Sequence, residues 1–268
     1  MDPEFAFWFT LATRMVVTAV FVVFATWTAE RAGALVGALV ATLPISAAPA
    51  YVFLALDHDA TFIAATALAS LSTNAANMAF CAVYTVVAQS RGLAVSLSTA
   101  LGAWLALSVV APAIVRTLPL AIILNVLTFA ICLAFVHRFR RASMPPTQRR
   151  WYDIPLRAGM VAILVAVVVG LSSRVGTTVT GVLALFPIVL VSLTLIFQPR
   201  IGGPAVAAIT ANSVVGLAGY GLALVVLTLT AMPLGSAAAL SLALAVSIGW
   251  NLAVLIVRNR TSEARVAP

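Results

Sequence analysis

The chain contains nine apolar stretches, each about as long as an α-helix must be to cross a lipid bilayer. A spanning helix takes about 20 apolar residues, and a bilayer core admits only helices or closed barrels because all backbone hydrogen bonds must be made internally. We therefore predict an all-α integral membrane protein with nine transmembrane helices. The stretches are 7–28, 33–56, 61–88, 92–115, 118–136, 155–173, 176–197, 204–230 and 234–257.

Composition excludes a soluble globular domain, since 63% of the residues are hydrophobic and 8% are charged. The 15 basic residues, all arginines, outnumber the 7 acidic ones. Because the arginines lie between apolar stretches, we interpret them as topology signals and anionic-lipid contacts, and we expect no nucleic-acid partner. Residues 1–5 are interpreted as a cloning scar, and Cys81 and Cys132 as packing residues.

Arginine placement predicts the orientation in the membrane. The linker 138–153 is rich in arginine and should lie in the cytoplasm, where it would contact anionic lipids or dock a partner. Counting spans outward from it places the N-terminus outside and the tail 259–268 in the cytoplasm. We expect a multi-pass protein of the bacterial inner membrane. Arg116 and Arg174 are exceptions that fall in outer loops.

The sequence matches itself at an offset of 143 residues. Between 31 and 45, six of fifteen positions are identical to their counterparts without a gap. Chance matches are common among apolar residues, but matched arginine, glycine and proline in the same order favour a duplication. The most informative matched pairs are Arg31 with Arg174, Gly33 with Gly176, and Pro44 with Pro187.

The duplication predicts a 4+1+4 organisation. Copy one covers 6–116, a connecting fifth helix covers 117–137, and copy two covers 154–258 after the linker. Five spans separate the two starting points, and an odd number of spans inverts the second copy. Inverted repeats are a recurring construction of secondary transporters, whose site lies near the midplane where the copies meet.

Four short motifs in copy two carry a family resemblance: Gly170–Arg174, Gly181, Leu185–Pro187 and Ser247–Trp250. With them, the second copy resembles the GlpM-like family of four-helix inner-membrane proteins. Copy one departs from the pattern, with Thr28-Ala29-Glu30 where copy two has Leu171-Ser172-Ser173. The resemblance implies a membrane unit that pairs with another, and it leaves a homodimer open.

The candidate site follows from prolines and amides inside the spans. A mid-span proline removes a backbone hydrogen bond and breaks or kinks its helix, and paired broken helices point to a transporter site. Asparagine in hydrocarbon needs a partner, a cavity or water. Packing kinks and interhelical hydrogen bonds are the alternative interpretations. The predicted substrate-binding residues are Pro44 and Pro187, Ser70, Asn74 and Asn77 of helix three, and Asn212 and Ser213 of helix eight.

Function is narrowed by what the predicted spans lack. They contain no acidic residue and no deep histidine, which argues against a proton relay, an enzyme, a metal site or a cofactor. Asp57-His58-Asp59 is interpreted as a loop. Arg14 and Arg157 are interpreted as snorkelling anchors, and the alternative is an anion site. We predict a secondary transporter or facilitator for a small neutral, anionic or lipid-like solute. The alternative is a non-transporting scaffold or regulatory subunit.

Overall fold

The computed structural model describes residues 3–31, 47–140 and 150–266. All regular elements within these ranges are helical, and one 3-10 turn, His137–Phe139, follows the fifth α-helix. The nine α-helices are α1 (Pro3–Arg31), α2 (Ala47–Asp57), α3 (Ala60–Val87), α4 (Leu93–Ile114), α5 (Leu118–Val136), α6 (Asp153–Ala184), α7 (Ile188–Ile201), α8 (Gly203–Leu234) and α9 (Ser236–Val266).

Six helical segments in the described ranges are long and apolar enough to cross a membrane: Phe7–Trp27, Leu93–Ile114, Leu118–Phe139, Asp153–Ala184, Gly203–Leu234 and Ser236–Val257. The prediction of an all-α, multi-pass membrane protein is therefore confirmed. The other three helices are α2 and α7, with 11 and 14 residues, and α3, which has 28 residues but carries a polar series.

Helix α3 lies at the centre of the bundle, where it packs against α8, α4, α5 and α6. Ten consecutive positions, 69–78, are buried, so this part of the helix has no face directed toward lipid. A helix enclosed on all sides can carry polar side chains that a lipid-facing helix cannot, because neighbouring helices supply their partners. This explains why the most polar long helix is also the innermost.

Helices α3 and α8 pack against each other in opposite directions. Positions near the end of α3 contact the start of α8, and positions near the middle of α3 contact the middle of α8. Gly203 allows the closest approach, because a side chain there would collide with the Ala88 carbonyl. The paired residues are Ala88 and Gly203, Thr85 and Ala207, and Asn74 and Leu217.

Helix α6 bends before it ends. Gly176 leaves the helical conformation at φ 73° and ψ 175°, which a residue with a side chain rarely adopts, so 177–184 runs in a new direction. This bend falls between the predicted sixth and seventh spans. The predicted span 176–197 is itself interrupted at Leu185–Pro187, and α7 begins at Ile188. Pro187 lacks the N–H that a continuous helix would require.

The junction of α2 and α3 lies at one end of the bundle, which we call the Asp57 end. Asp57 forms a bidentate ion pair with Arg14 of α1, with N–O distances of 2.5 and 2.6 Å. Next to it, the His58 Nε2 and the Ser172 Oγ of α6 lie 2.8 Å apart. The Arg14 guanidinium is thus held by a carboxylate of the protein, a partner that the sequence interpretation did not name.

The junction of α7 and α8 lies at the opposite end of the bundle, which we call the Arg200 end. Arg200 forms a bidentate ion pair with Asp153 at the start of α6, at 2.6 and 2.8 Å. Tyr84 donates a hydrogen bond of 2.6 Å to the Gln198 side chain, which joins the end of α3 to the end of α7. A hydrogen bond from a neighbouring guanidinium, Arg150, lowers the pKa of the Tyr152 hydroxyl.

Candidate functional site

The interruption between α6 and α7 leaves backbone carbonyls that helix bonds do not use. The Leu185 N–H bonds to the Val182 carbonyl, one residue beyond the Gly181 carbonyl that an α-helix would use. Side chains of α3 donate hydrogen bonds to these carbonyls instead. Ser70 donates to the Gly181 carbonyl at 2.9 Å, and Asn77 donates to the Leu185 carbonyl at 3.0 Å. We call Ser70, Asn77, Gly181, Leu185 and Pro187 together the helix-break site.

The helix-break site extends to α2 through one tyrosine. The Tyr51 hydroxyl donates to the Ser70 Oγ at 2.7 Å, so that Tyr51, Ser70 and the Gly181 carbonyl form a continuous chain. Tyr51 and Ser70 are 3% and 0% exposed, which places the chain inside the protein. Buried hydroxyls bonded in series hold three separate helical segments in one arrangement.

A second polar cluster occupies another face of α3. Asn74 donates to the Asn125 Oδ1 of α5 at 2.9 Å and to the Leu217 carbonyl of α8 at 3.0 Å. Asn125 donates in turn to the Leu71 carbonyl at 2.7 Å. Gly221 leaves room for this contact, since a Cβ there would lie 3.0 Å from the Asn74 amide nitrogen. The cluster joins α3, α5 and α8 near the middle of the bundle.

Four buried polar atoms in or beside these clusters have no hydrogen-bond partner among the described residues: Asn74 Oδ1, Asn77 Oδ1, Thr66 Oγ1 and the Tyr220 hydroxyl oxygen. Each asparagine donates through its amide nitrogen, so its oxygen is a free acceptor. Water, a hydroxyl or ammonium group of a solute, or a cation could occupy such acceptors, because an unpaired buried polar atom costs about 1–3 kcal/mol. This is binding capacity for donors and cations rather than catalytic chemistry.

Two cavities lie near these elements. A small one of about 50 Å³ is lined by Tyr51, Tyr220 and apolar side chains of α2, α8 and α9. A larger cleft of about 660 Å³ opens at the Asp57 end between α3, α4 and α6. Neither of these two is lined by Asn74 or Asn77, whose side chains are buried.

The structure distributes the predicted site residues over several places. Pro187, Ser70 and Asn77 meet at the helix-break site, and Asn74 belongs to the neighbouring cluster. Asn212 instead bonds Arg140, which follows the 3-10 turn after α5, accepting from Nε and donating to the carbonyl, both at 3.1 Å. Asn212 lies at a depth in the bundle similar to that of Asn77, but its side chain bonds Arg140 and does not reach the break between α6 and α7. Ser213 donates to the Ile209 carbonyl of its own helix, and Pro44 lies outside the described residues.

Several participants are missing from the sequence prediction. Tyr51 and Gly181 escaped it because a tyrosine near a helix end and a glycine in an apolar run carry no distinctive pattern. Asn125 is not among the predicted site residues either, and its bonds join α5 to α3. One signal was available for Gly181, because it belongs to a motif of the family resemblance.

No group of three or more histidine, cysteine, aspartate or glutamate side chains able to hold a metal is found in the described part of the chain. Cys81 and Cys132 are both free and buried. Comparison with known proteins adds no relative: no family model, no curated protein and no solved structure matches this chain.

Proposed function

We propose that this protein is a secondary transporter or facilitator for a small neutral, anionic or lipid-like solute. The observation that carries the proposal is the helix-break site, where an interrupted helix turns its carbonyls toward polar side chains deep within the bundle. Membrane carriers build sites near the midplane from the backbone groups of interrupted helices. The unpaired oxygens of Asn74 and Asn77 would accept hydrogen bonds from the solute, which among these classes favours a neutral or lipid-like solute with hydroxyl or amide groups.

The proposed inverted repeat is supported by the helix bounds. Helices α3 and α8 begin at Ala60 and Gly203, and α4 and α9 begin at Leu93 and Ser236, which is the predicted offset of 143 in both cases. The matched helices α3 and α8 run in opposite directions, as inverted copies require. Asn74 bonds the Leu217 carbonyl, its own counterpart at that offset, which is expected where a two-fold axis passes between the copies.

The neighbour relations of the copies are also consistent with inversion. Helix α4 packs on α3 and contacts α7, while its counterpart α9 packs on α8 and contacts α2. Each short helix, α2 or α7, is tied by an ion pair to the first helix of its copy. Asp57 and Arg200 occupy equivalent positions at the offset of 143, with opposite charges and at opposite ends of the bundle.

We propose that the Arg200 end faces the cytoplasm of a bacterial inner membrane. Within the described ranges this end carries Arg91, Arg138, Arg140, Arg150, Arg157 and Arg200, whereas the Asp57 end carries Arg14, Arg116 and Arg174. The excess follows the positive-inside bias. The N-terminus would then lie outside and the C-terminus inside.

The alternative function, a scaffold or regulatory subunit, is favoured by one observation. Asn74 and Asn77 are 0% and 5% exposed, and no described cavity reaches them, as expected of a solid bundle. A carrier must open this region to one side of the membrane during its cycle, whereas a scaffold need not. The two functions therefore differ in whether water ever reaches the helix-break site.

Cysteine accessibility tests the proposal. Ala184→Cys introduces a thiol next to the break, and Ala100→Cys introduces one at an equally buried position of α4 as the matched control, both in a background with Cys81 and Cys132 changed to alanine. In proteoliposomes, a membrane-impermeant thiol reagent should modify the residue-184 thiol within minutes and leave the residue-100 thiol unmodified. Equal protection of both thiols, in protein that remains folded, would contradict the carrier and favour the scaffold.

A further inference from the structure

The cleft at the Asp57 end has two chemically different parts. Its lining includes Arg116 in the connection between α4 and α5, and Thr177 and Thr178 just beyond the bend of α6. The rest of the lining is mainly aliphatic and includes Val109 and Val182. A volume of about 660 Å³ falls within the range of sites that hold small molecules.

Arg116 is the only arginine in this lining, and it lacks an ion pair. Its Nε donates a long hydrogen bond of 3.3 Å to the Ala113 carbonyl, and no carboxylate of the described residues pairs with the guanidinium. Arg14 and Arg200, by contrast, each hold a carboxylate in bidentate fashion. A guanidinium with unused donors at the rim of an apolar cleft complements a phosphate group.

The walls connect the cleft with the lipid-facing surface. Val109 of α4 and Val179 of α6 line it and are 65% and 45% exposed, on helices that are long and apolar enough to span the membrane. A water-soluble anion would lose its hydration against such walls, whereas an acyl chain can enter the cleft from the bilayer without leaving apolar surroundings. The ligand should therefore combine an anionic phosphate with a hydrocarbon chain.

We propose that this cleft binds one anionic phospholipid, with its phosphate on Arg116 and the Thr177 and Thr178 hydroxyls, and an acyl chain along Val109, Val179 and Val182. This site differs from the basic linker, which the sequence associates with lipids at the other end of the bundle. The assignment does not depend on transport, since a scaffold would bind the same lipid.

Native mass spectrometry of the protein in detergent, titrated with phosphatidylglycerol or phosphatidylcholine, tests the assignment. The wild type should bind one phosphatidylglycerol about tenfold more tightly than phosphatidylcholine, because both lipids carry a phosphate but the choline ammonium of phosphatidylcholine repels the Arg116 guanidinium. Arg116→Gln should remove this preference. Arg174→Gln is the matched control, because Arg174 lies at the same end, outside the cleft lining, and should leave the preference intact.

A second pair of variants tests the apolar wall. Val179→Trp fills the cleft at an exposed position and should weaken binding of both lipids, whereas Ile163→Trp, also exposed on the same helix but outside the cleft, should not. Equal binding of the two lipids, unchanged in Arg116→Gln, would mean bulk lipid contact and would overturn the proposal. Displacement of phosphatidylglycerol by inorganic phosphate alone would assign the site to a free anion and would also overturn it.

Discussion

Replacing Gly181 with alanine should disrupt the contact between α6 and α3 through steric overlap. An added Cβ would lie 2.6 Å from the Thr66 carbonyl oxygen, 2.7 Å from the Ala69 Cβ and 2.9 Å from the Ser70 nitrogen. Two of these atoms belong to the α3 backbone and the third is attached directly to it, so no side-chain rotation can relieve the overlap. Segment 177–184 would have to move away from α3.

The magnitude follows from two contributions. Overpacking of a closely packed contact costs about 1–3 kcal/mol, and rigid backbone neighbours place this case in the upper part of that range. Moving the segment also lengthens the hydrogen bond from Ser70 to the Gly181 carbonyl, which is worth about 1 kcal/mol. We expect Gly181→Ala to lower the free energy of unfolding by about 3 kcal/mol.

Gly159→Ala is the matched control on the same helix. A Cβ at Gly159 would meet no atom within 4 Å, and alanine is about 1 kcal/mol better than glycine inside a helix. This variant should be neutral or slightly stabilising. Equilibrium unfolding by increasing sodium dodecyl sulfate in mixed micelles, followed by circular dichroism, measures both. If the two variants unfold at the same midpoint, the close packing of α6 on α3 is refuted.

Two further predictions concern the Arg200 end and the orientation. Asp153→Asn should lower stability by about 1 kcal/mol, and the loss should shrink as salt is raised, because the ion pair with Arg200 is partly accessible to solvent. A loss that does not change with salt would mean that packing, and not charge, is affected. In intact bacteria, an impermeant thiol reagent should label Thr117→Cys and not Ser90→Cys, both at exposed positions. The opposite pattern would invert the proposed topology.

Local chain chemistry allowed much of the fold to be predicted. Helix α5 was predicted at 118–136 and is observed at Leu118–Val136, because an uninterrupted apolar run between turn residues defines a spanning helix without any tertiary information. The interruption at Pro187 was predictable for a similar reason, since the missing N–H belongs to that residue alone. The GlpM-like resemblance, the homodimer and the role of the residues around Pro44 stay predictions.

The partners of the polar residues were less predictable. Asn74 and Asn77 are three positions apart, a spacing that indicates nearby positions on one side of a helix. Three residues turn a helix by about 300°, which leaves their side chains about 60° apart. Because other helices enclose α3 on all sides, side chains about 60° apart point toward different neighbouring helices. Asn77 therefore bonds α6, while Asn74 bonds α5 and α8.

The sequence by itself determined the membrane class, the position of most helices, the break at Pro187 and the offset of 143, because each depends on residues close together in the chain or on direct matching of the chain with itself. Only the tertiary structure decided that Arg14 pairs with Asp57 and that Asn212 bonds Arg140 rather than the helix-break site. The rotation of each helix about its axis is set by packing against its neighbours, and that rotation determines which groups a buried polar side chain can reach.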